Sequence, residues 1–175
     1  MLDEIPVEVR AYLSAGDSIG HLEVTQKYPN VERTLASPEV RAAILRYLRS
    51  DEAWKEPNPG FMIGALTFLQ GAASAKELPA VQGFVVHRNP WVRVRAYEYM
   101  MAVYYPAGDS ASMVKMFEKM LVDPDEVVRV QAARWIQGVG VVAAMRGYLQ
   151  NWIQRAPERM WDHHESFTII QELLR

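Results

Sequence analysis

Residues 121–140 read LVDPDEVVRVQAARWIQGVG, a helix start followed by an amphipathic helix. We predict that Asp123 is the N-cap, because its carboxylate can accept hydrogen bonds from the free N–H groups of the first helical turn. Pro124 then takes the first helical position, where a missing N–H costs nothing, and Glu126 lies at the positive end of the helix dipole. The stretch therefore predicts the end of one helix, a short corner and a second helix.

Two further segments share this pattern. RNPWVRVRAYEYMMAV begins at Arg88, with Asn89 as its predicted cap, and LASPEVRAAILRYLRS begins at Leu35, with Ser37 as its predicted cap. Each cap is followed by proline and then by apolar residues at helical spacing. The first of these segments matches the stretch above with a displacement of 36 residues. The matched apolar pairs are Val92 and Val128, Ala96 and Ala132, Tyr99 and Trp135, Met100 and Ile136, and Val103 and Val139.

The prolines that open the predicted helices indicate a repeat. Pro6 and Pro38 lie 32 residues apart, Pro90 and Pro124 lie 34 apart, and Pro157 follows 33 residues later. Two short helices in every thirty-odd residues are typical of a helical solenoid, in which each pair buries its apolar face against its neighbours. We predict an all-α fold of about ten helices.

Composition limits the class of protein. The chain has 175 residues, 50% of them hydrophobic and 23% charged, so we predict one domain over residues 1–175 with an irregular repeat around 51–75. A net charge of -2 gives no overall attraction to nucleic acid or to a membrane surface, and the absence of cysteine excludes disulfides and thiolate chemistry. The acidic start MLDEIPVEVR does not resemble a signal peptide, and the uncharged run 57–75 is too short to span a bilayer. We expect a cytoplasmic protein without a membrane partner, and a buried central helix in that run.

The repeated segments resemble HEAT repeats, and especially the short HEAT-like repeats of bilin lyases. Their shared pattern is an apolar residue, Asp-Pro, a Val-Arg pair, an Ala-rich helix and Gly; IPVEVRAYL is a weaker match, and residues 51–75 lack the Val-Arg pair. The resemblance, which covers residues 35–140, implies a right-handed α-solenoid of HEAT-like helical hairpins. It also implies that the arginine of each Val-Arg pair is structural and bonds to the preceding corner. These arginines are Arg10, Arg41, Arg93 and Arg129.

The same resemblance implies that the second helix of each pair lines a concave surface. We predict that partner-binding residues lie there: Trp91, Arg95, Glu98, Gln131 and Arg134. Trp91 falls outside the apolar stripe and beside several arginines, the composition of a binding hot spot, although packing into the corner is equally compatible with the sequence. Ala43 and Arg46 occupy the matching columns, for which an ordinary solvated face is the alternative. The aromatic column of Tyr47, Tyr99 and Trp135 is predicted to fill the seam between helices, with a set of anchors lining a groove as the alternative.

These observations favour a non-enzymatic scaffold that binds another protein on the concave face of the array. We assign no catalytic residue or cofactor, because the sequence has neither a Walker loop nor a G-x-S-x-G motif. We assign no metal, because the adjacent His163 and His164 in WDHHES would point about 100° apart on a helix. The alternative is a nucleic-acid-binding module related to helical-repeat alkylpurine DNA glycosylases, since residues 78–157 carry nine basic and six acidic residues. No Asp follows Trp91 or Trp135 at one-turn spacing to serve that catalysis. A lyase or chaperone for a small chromophore is a third class, supported by family analogy alone.

Overall fold

The computed structural model describes residues 1–16, 18–155 and 165–175, and within these ranges the chain is helical and contains no β-strand. The predicted all-α class is confirmed. The described residues form twelve α-helices: α1 (Val7–Ser14), α2 (Ser18–Lys27), α3 (Val31–Leu35), α4 (Pro38–Leu48), α5 (Asp51–Trp54), α6 (Pro59–Gln70), α7 (Leu78–Val81), α8 (Pro90–Tyr104), α9 (Ser110–Leu121), α10 (Glu126–Gly138), α11 (Val142–Arg155) and α12 (Glu165–Leu174). Short 3-10 helices cover Leu2–Glu4, Ala75–Glu77 and Gln82–Val86.

The chain divides into two compact units, Met1–Val103 and Tyr104–Arg175. In the first unit, α1 packs across α6, and the two backbones meet at Gly64. A Cβ atom at Gly64 would lie 1.9 Å from the carbonyl oxygen of Leu13, so the crossing requires a residue without a side chain. The sequence prediction of a buried central helix is confirmed by α6, whose apolar side chains lie in the core of this unit. The buried residues of α6 are Phe61, Met62, Ala65, Leu66 and Leu69.

In the second unit, α10 packs against α9 and α12, and α11 contacts both of these helices. The indole Nε1 of Trp152 in α11 donates to the carbonyl oxygen of Leu121 at 2.8 Å, at the last residue of α9. Glu126 joins α12 to the start of α10, because its carboxylate accepts from the backbone N and the hydroxyl of Ser166 at 2.9 and 3.1 Å. Buried methionines, phenylalanines and aliphatic residues fill the space between these helices.

Several predicted helix starts are confirmed. The Ser37 hydroxyl accepts from the backbone N of Val40 at 3.3 Å, and the Asn89 side chain accepts from the backbone N of Trp91 and Val92 at 2.9 and 3.3 Å. In both cases the following proline is the first helical residue, as the sequence indicates.

The predicted cap at Asp123 is wrong. α10 begins at Glu126, and its N-cap is Asp125, whose carboxylate accepts from the backbone N of Val127 at 3.0 Å. Asp123 instead accepts from the backbone N of Asp125 at 2.9 Å, so it closes the turn that precedes the cap. Pro124 lies in that turn and does not open the helix.

The segment between α6 and α8 is not a single helix. The segment consists of the 3-10 helix Ala75–Glu77, the short α7 and the 3-10 helix Gln82–Val86. Pro79 explains the interruption, because it has no backbone N–H and would leave one hydrogen bond unmade inside a longer helix. α7 begins at Leu78, so that Pro79 falls in its first turn, where no intrahelical bond is needed.

No helix in the described ranges has the length and apolar character needed to cross a bilayer. The prediction that residues 1–175 form one domain stays a prediction. The start of the last helix, predicted near Pro157, lies outside the described residues.

Candidate partner-binding site

The corner before α8 holds a half-exposed Trp91 at a fixed helix start. Asn89 holds the first turn through two backbone hydrogen bonds, and the Trp91 side chain is 48% exposed. Of the two arrangements compatible with the sequence, packing into the corner and partial exposure, the structure has partial exposure. Because the cap fixes the first turn of α8, the backbone that carries the Trp91 indole has little conformational freedom.

Arg93 makes this corner rigid. Its guanidinium is buried and donates to the carbonyl oxygens of His87 at 2.7 Å and of Arg88 at 3.3 Å. His87 is buried too, and its Nδ1 accepts from the backbone N of Asn89 at 3.1 Å. Two residues that flank Trp91 in sequence are therefore internal supports, and Arg88 is the neighbouring cation that is exposed.

The implied role of the other Val-Arg arginines is met in part. Arg129 is buried and donates to the carbonyl oxygen of Asp123 at 2.5 Å, in the preceding corner. Arg41 bonds instead to residues that follow it, the carbonyl oxygens of Leu69 and Ala72 and the carboxylate of Glu77. Arg10 forms a long ion pair with Asp3, at 3.5 Å.

Two of the predicted partner-binding residues, Arg95 and Glu98, form an ion pair with each other one turn apart on α8. Both side chains are partly buried. They follow Trp91 at i+4 and i+7, so the three residues share one face of the helix. This face offers an indole beside a charge pair in which each charge already has a partner.

Gln131 and Arg134 belong to the second unit and share a face of α10 at i and i+3. Gln131 is half-buried, whereas Arg134 is exposed and pairs with Glu165 of α12 at 2.5 Å. In the first unit, Ala43 and Arg46 occupy the repeat positions that match Gln131 and Arg134. Of these, Arg46 is exposed as expected, but Ala43 is buried because it packs in the core beside Ile44, so the expectation that its position faces solvent is wrong.

Two members of the aromatic column fill the core of the first unit, as predicted. Tyr47 and Tyr99 are buried, and their hydroxyl groups donate to the carboxylates of Glu56 and Glu77. Burial and the Glu77 carboxylate raise the pKa of Tyr99 to about 12. Trp135, the third member, is half-buried.

Trp54, for which the sequence predicts no role, is 42% exposed and stacks on Phe84 with ring centroids 4.9 Å apart. Its ring also lies 6.1 Å from that of His87. The corner around residues 51–59 thus adjoins the corner that carries Trp91. Only the three-dimensional structure brings them together, because about thirty residues separate the two corners and no repeated motif marks the first.

Of the segment WDHHES, Glu165 and Ser166 belong to the described residues, and the predicted His163 and His164 lie outside them. Within residues 1–16, 18–155 and 165–175, no group of three or more His, Asp or Glu side chains could hold a metal ion.

No protein-family model, no curated protein and no solved structure matches the chain significantly. The resemblance to HEAT repeats therefore remains a prediction that depends on the residues quoted above.

Proposed function

We propose that this protein is a non-enzymatic scaffold that binds another protein. In this proposal its helices form a right-handed α-solenoid of HEAT-like hairpins, it is located in the cytoplasm, and its partner lies on the concave face. The repeated corners support the proposal, since Asn89 and Asp125 cap their helices 36 residues apart and Arg93 and Arg129 each bond to the carbonyl oxygen six residues earlier.

The exposure of Trp91 carries the proposal. A large aromatic residue in water on a rigid support is the usual centre of a protein-binding hot spot, because binding then orders little else. Arg95 and Glu98 lie one and two turns further along the same helix face, where they would give the rim of the contact its charge pattern. Gln131 and Arg134 of the second unit are the other proposed contact residues, and they share one face of α10.

The proposal is tested by affinity capture from nuclease-treated lysate of the source organism, followed by measurement of the purified pair. Trp91→Ala should weaken binding of a captured protein by about 2 kcal/mol or more, the usual cost of removing a hot-spot aromatic residue. The matched control is Tyr105→Ala, which removes another exposed aromatic side chain from outside the proposed face. Equal affinity of wild type and Trp91→Ala for every captured protein would contradict the proposal.

Charge reversal tests the rim. Arg95→Glu and Arg134→Glu should each slow association, whereas Arg33→Glu, at an exposed residue of α3 outside the proposed face, should not. If the control slows association as much as the two variants do, overall charge and not the proposed face determines the rate.

The nucleic-acid alternative has less support. Arg93 and Arg129 are buried, and Arg95 and Arg134 are paired with carboxylates, so four of the nine basic residues counted from the sequence are already occupied. Binding to labelled duplex that weakens steeply with salt would nevertheless favour it.

A further inference from the structure

The imidazole ring of His87 is enclosed in the corner before α8, where its side chain is 3% exposed. Trp54 of α5 and Phe84 of the 3-10 helix present uncharged rings to it. Nδ1 accepts from the backbone N of Asn89 at 3.1 Å, so in the neutral ring the proton lies on Nε2. Nε2 is buried without a hydrogen-bond partner among the described residues. The neutral ring therefore fits the corner through Nδ1 alone and leaves one donor unsatisfied, which costs free energy in the folded state.

The same enclosure excludes the protonated ring. A proton on Nδ1 would face the N–H of Asn89, so two donors would oppose each other and their hydrogen bond would break. Burial lowers the pKa of His87, and the positive charges of Arg88 and Arg93 lower it further. An imidazolium ring consequently has neither an acceptor nor an opposite charge in the place that the neutral ring occupies.

A pocket of about 360 Å³ offers the charged ring another place. It lies in the first unit where the corner before α6 meets the corner before α8, and both Glu56 and His87 line it. The Glu56 carboxylate accepts from the Tyr47 hydroxyl at 2.8 Å and from the backbone N of Asn58 at 3.0 Å, which leaves acceptor capacity on its oxygens. Arg88, the cation in the same wall, is exposed and can keep its charge in water. The pocket thus supplies the space and the carboxylate that the enclosed position lacks.

The first turn of α8 depends on the position of His87. Asn89, whose backbone N is held by the ring, accepts on its side chain from the backbone N of Trp91 and Val92. The carbonyl oxygen of His87 also accepts from the buried guanidinium of Arg93 at 2.7 Å. Displacement of His87 would therefore loosen the support beneath the half-exposed indole of Trp91.

We propose that the corner before α8 is a pH-sensitive switch, in which protonation moves the His87 ring into the pocket toward the Glu56 carboxylate and releases the helix start that carries Trp91. The proposal rests on the proposed scaffold function, of which it is the regulation: the partner is held when His87 is neutral and released in acid. The second corner does not switch. Its acceptor for Asp125 N is a carboxylate oxygen of Asp123, and a carboxyl group keeps an acceptor oxygen in both protonation states.

The test is amide hydrogen exchange of the full chain, followed by NMR and corrected for the intrinsic pH dependence of exchange. Between about pH 7 and about pH 5, protection of the Asn89, Trp91 and Val92 amides should fall about tenfold, as expected for loss of a buried hydrogen bond. The Asp125 and Val127 amides of the second corner are the internal control and should lose less than about twofold. Unchanged protection in the first corner, or an equal loss in both, would overturn the proposal.

Two variants identify the groups that move. His87→Asn keeps an acceptor for Asn89 N but takes up no proton, so protection in the first corner should no longer depend on pH. Glu56→Gln removes the charge that stabilises the displaced ring, and should move the midpoint of the His87 ring signals to lower pH. Glu52→Gln removes the same charge from an exposed residue outside the pocket and should leave that midpoint in place. An acid loss that persists in His87→Asn, or equal shifts in the two glutamine variants, would contradict the switch.

Binding measurements separate the switch from the scaffold function. A captured protein that requires Trp91 should bind wild type about tenfold more weakly at about pH 5 than at about pH 7, and should bind His87→Asn equally at both. The same pH dependence in wild type and His87→Asn, or none in either, would leave the scaffold in place and refute the switch. Acid loss of protection confined to the first corner, with no captured protein, would establish the switch and refute the scaffold.

Discussion

The corners before α8 and α10 use the same hydrogen-bond scheme with different side chains. In the first, the Nδ1 of His87 accepts from Asn89 N at 3.1 Å, and in the second a carboxylate oxygen of Asp123 accepts from Asp125 N at 2.9 Å. His87 and Asp123 also offer their carbonyl oxygens to arginines six residues later, at 2.7 and 2.5 Å. What the corner requires at this position is an acceptor on the side chain and a free carbonyl, and an imidazole serves as well as a carboxylate.

The two corners differ in the residues that surround the shared hydrogen bonds, and this difference bears on function. The residue after His87 is Arg88, which lines a pocket, whereas the residue after Asp123 is Pro124, which carries no charge. The residue two positions after the cap differs as well: it is Trp91 in the first corner and Val127 in the second. One corner therefore combines the common support with an exposed cation and an exposed indole, and the other provides the support alone.

Removal of the buried arginines should break both corners and give the largest effects. Arg129→Met should lower the free energy of unfolding by about 3 kcal/mol, because the carbonyl oxygen of Asp123 and the Glu126 carboxylate both lose a charged donor. Arg93→Met should cost about 2 kcal/mol through the carbonyl oxygens of His87 and Arg88. Urea unfolding measures both. Arg46→Met, at an exposed ion pair, is the control and should cost less than about 0.5 kcal/mol; a similar loss there would mean that burial of the guanidinium is unimportant.

Loss of the caps should have a smaller effect. Asn89→Ala should cost about 1–2 kcal/mol and Asp125→Ala about 1 kcal/mol, since Asn89 satisfies two backbone N–H groups and Asp125 one. Asn30 provides a matched control, because it precedes α3 without a side-chain hydrogen bond to the helix. Thermal unfolding of Asn30→Ala should match wild type. A larger loss in this control than in Asp125→Ala would show that the cap of α10 is wrongly identified.

The two corners also show where sequence reasoning succeeds. The all-α class, the cap at Asn89 and the buried α6 follow from local rules on capping and apolar spacing, which neighbouring residues satisfy among themselves. The predicted cap at Asp123 is wrong because it matches Asp-Pro to Asn-Pro, a displacement of 34 residues. The apolar positions repeat at 36, and that register pairs Asn89 with Asp125, so the sequence contained the information needed.

The pocket, in contrast, could not be predicted. Trp54 and Glu56 reach His87 and Arg88 only because α6 returns the chain to the first corner, and no motif in residues 51–59 indicates such a contact. Of the predicted partner-binding residues, Trp91 is exposed as the sequence allowed, but the pairing of Arg134 with Glu165 depends on a helix that the repeat pattern did not cover.

The pH dependence of stability should distinguish the corners. The pKa of His87 is lowered by burial and by Arg88 and Arg93, with Glu56 the acidic group in the same pocket. The unfolded chain therefore takes up a proton near the ordinary pKa of 6.5 while the folded chain does not, so stability is complete above this pH and falls as the pH decreases below it. His87→Asn keeps the acceptor for Asn89 N and should flatten this slope in unfolding curves between about pH 5 and 8. An unchanged slope would assign it to other groups.

The converse substitution should transfer a smaller pH effect to the second corner. In Asp123→His, Nδ1 can accept from the backbone N of Asp125, and Arg129 lies where Arg93 lies in the first corner, so protonation should again oppose folding. His87 is in addition enclosed by the rings of Trp54 and Phe84. The second corner does not reproduce these rings, since the residues 36 positions after Trp54 and Phe84 are Pro90 and Met120. The added slope below pH 6.5 should therefore have the same sign and a lower magnitude, measured as the difference from wild type. If the added slope is as large as that of His87, the hydrogen bond and the arginine of the corner cause the pH dependence of stability. If there is no added slope, the aromatic enclosure of His87 causes it.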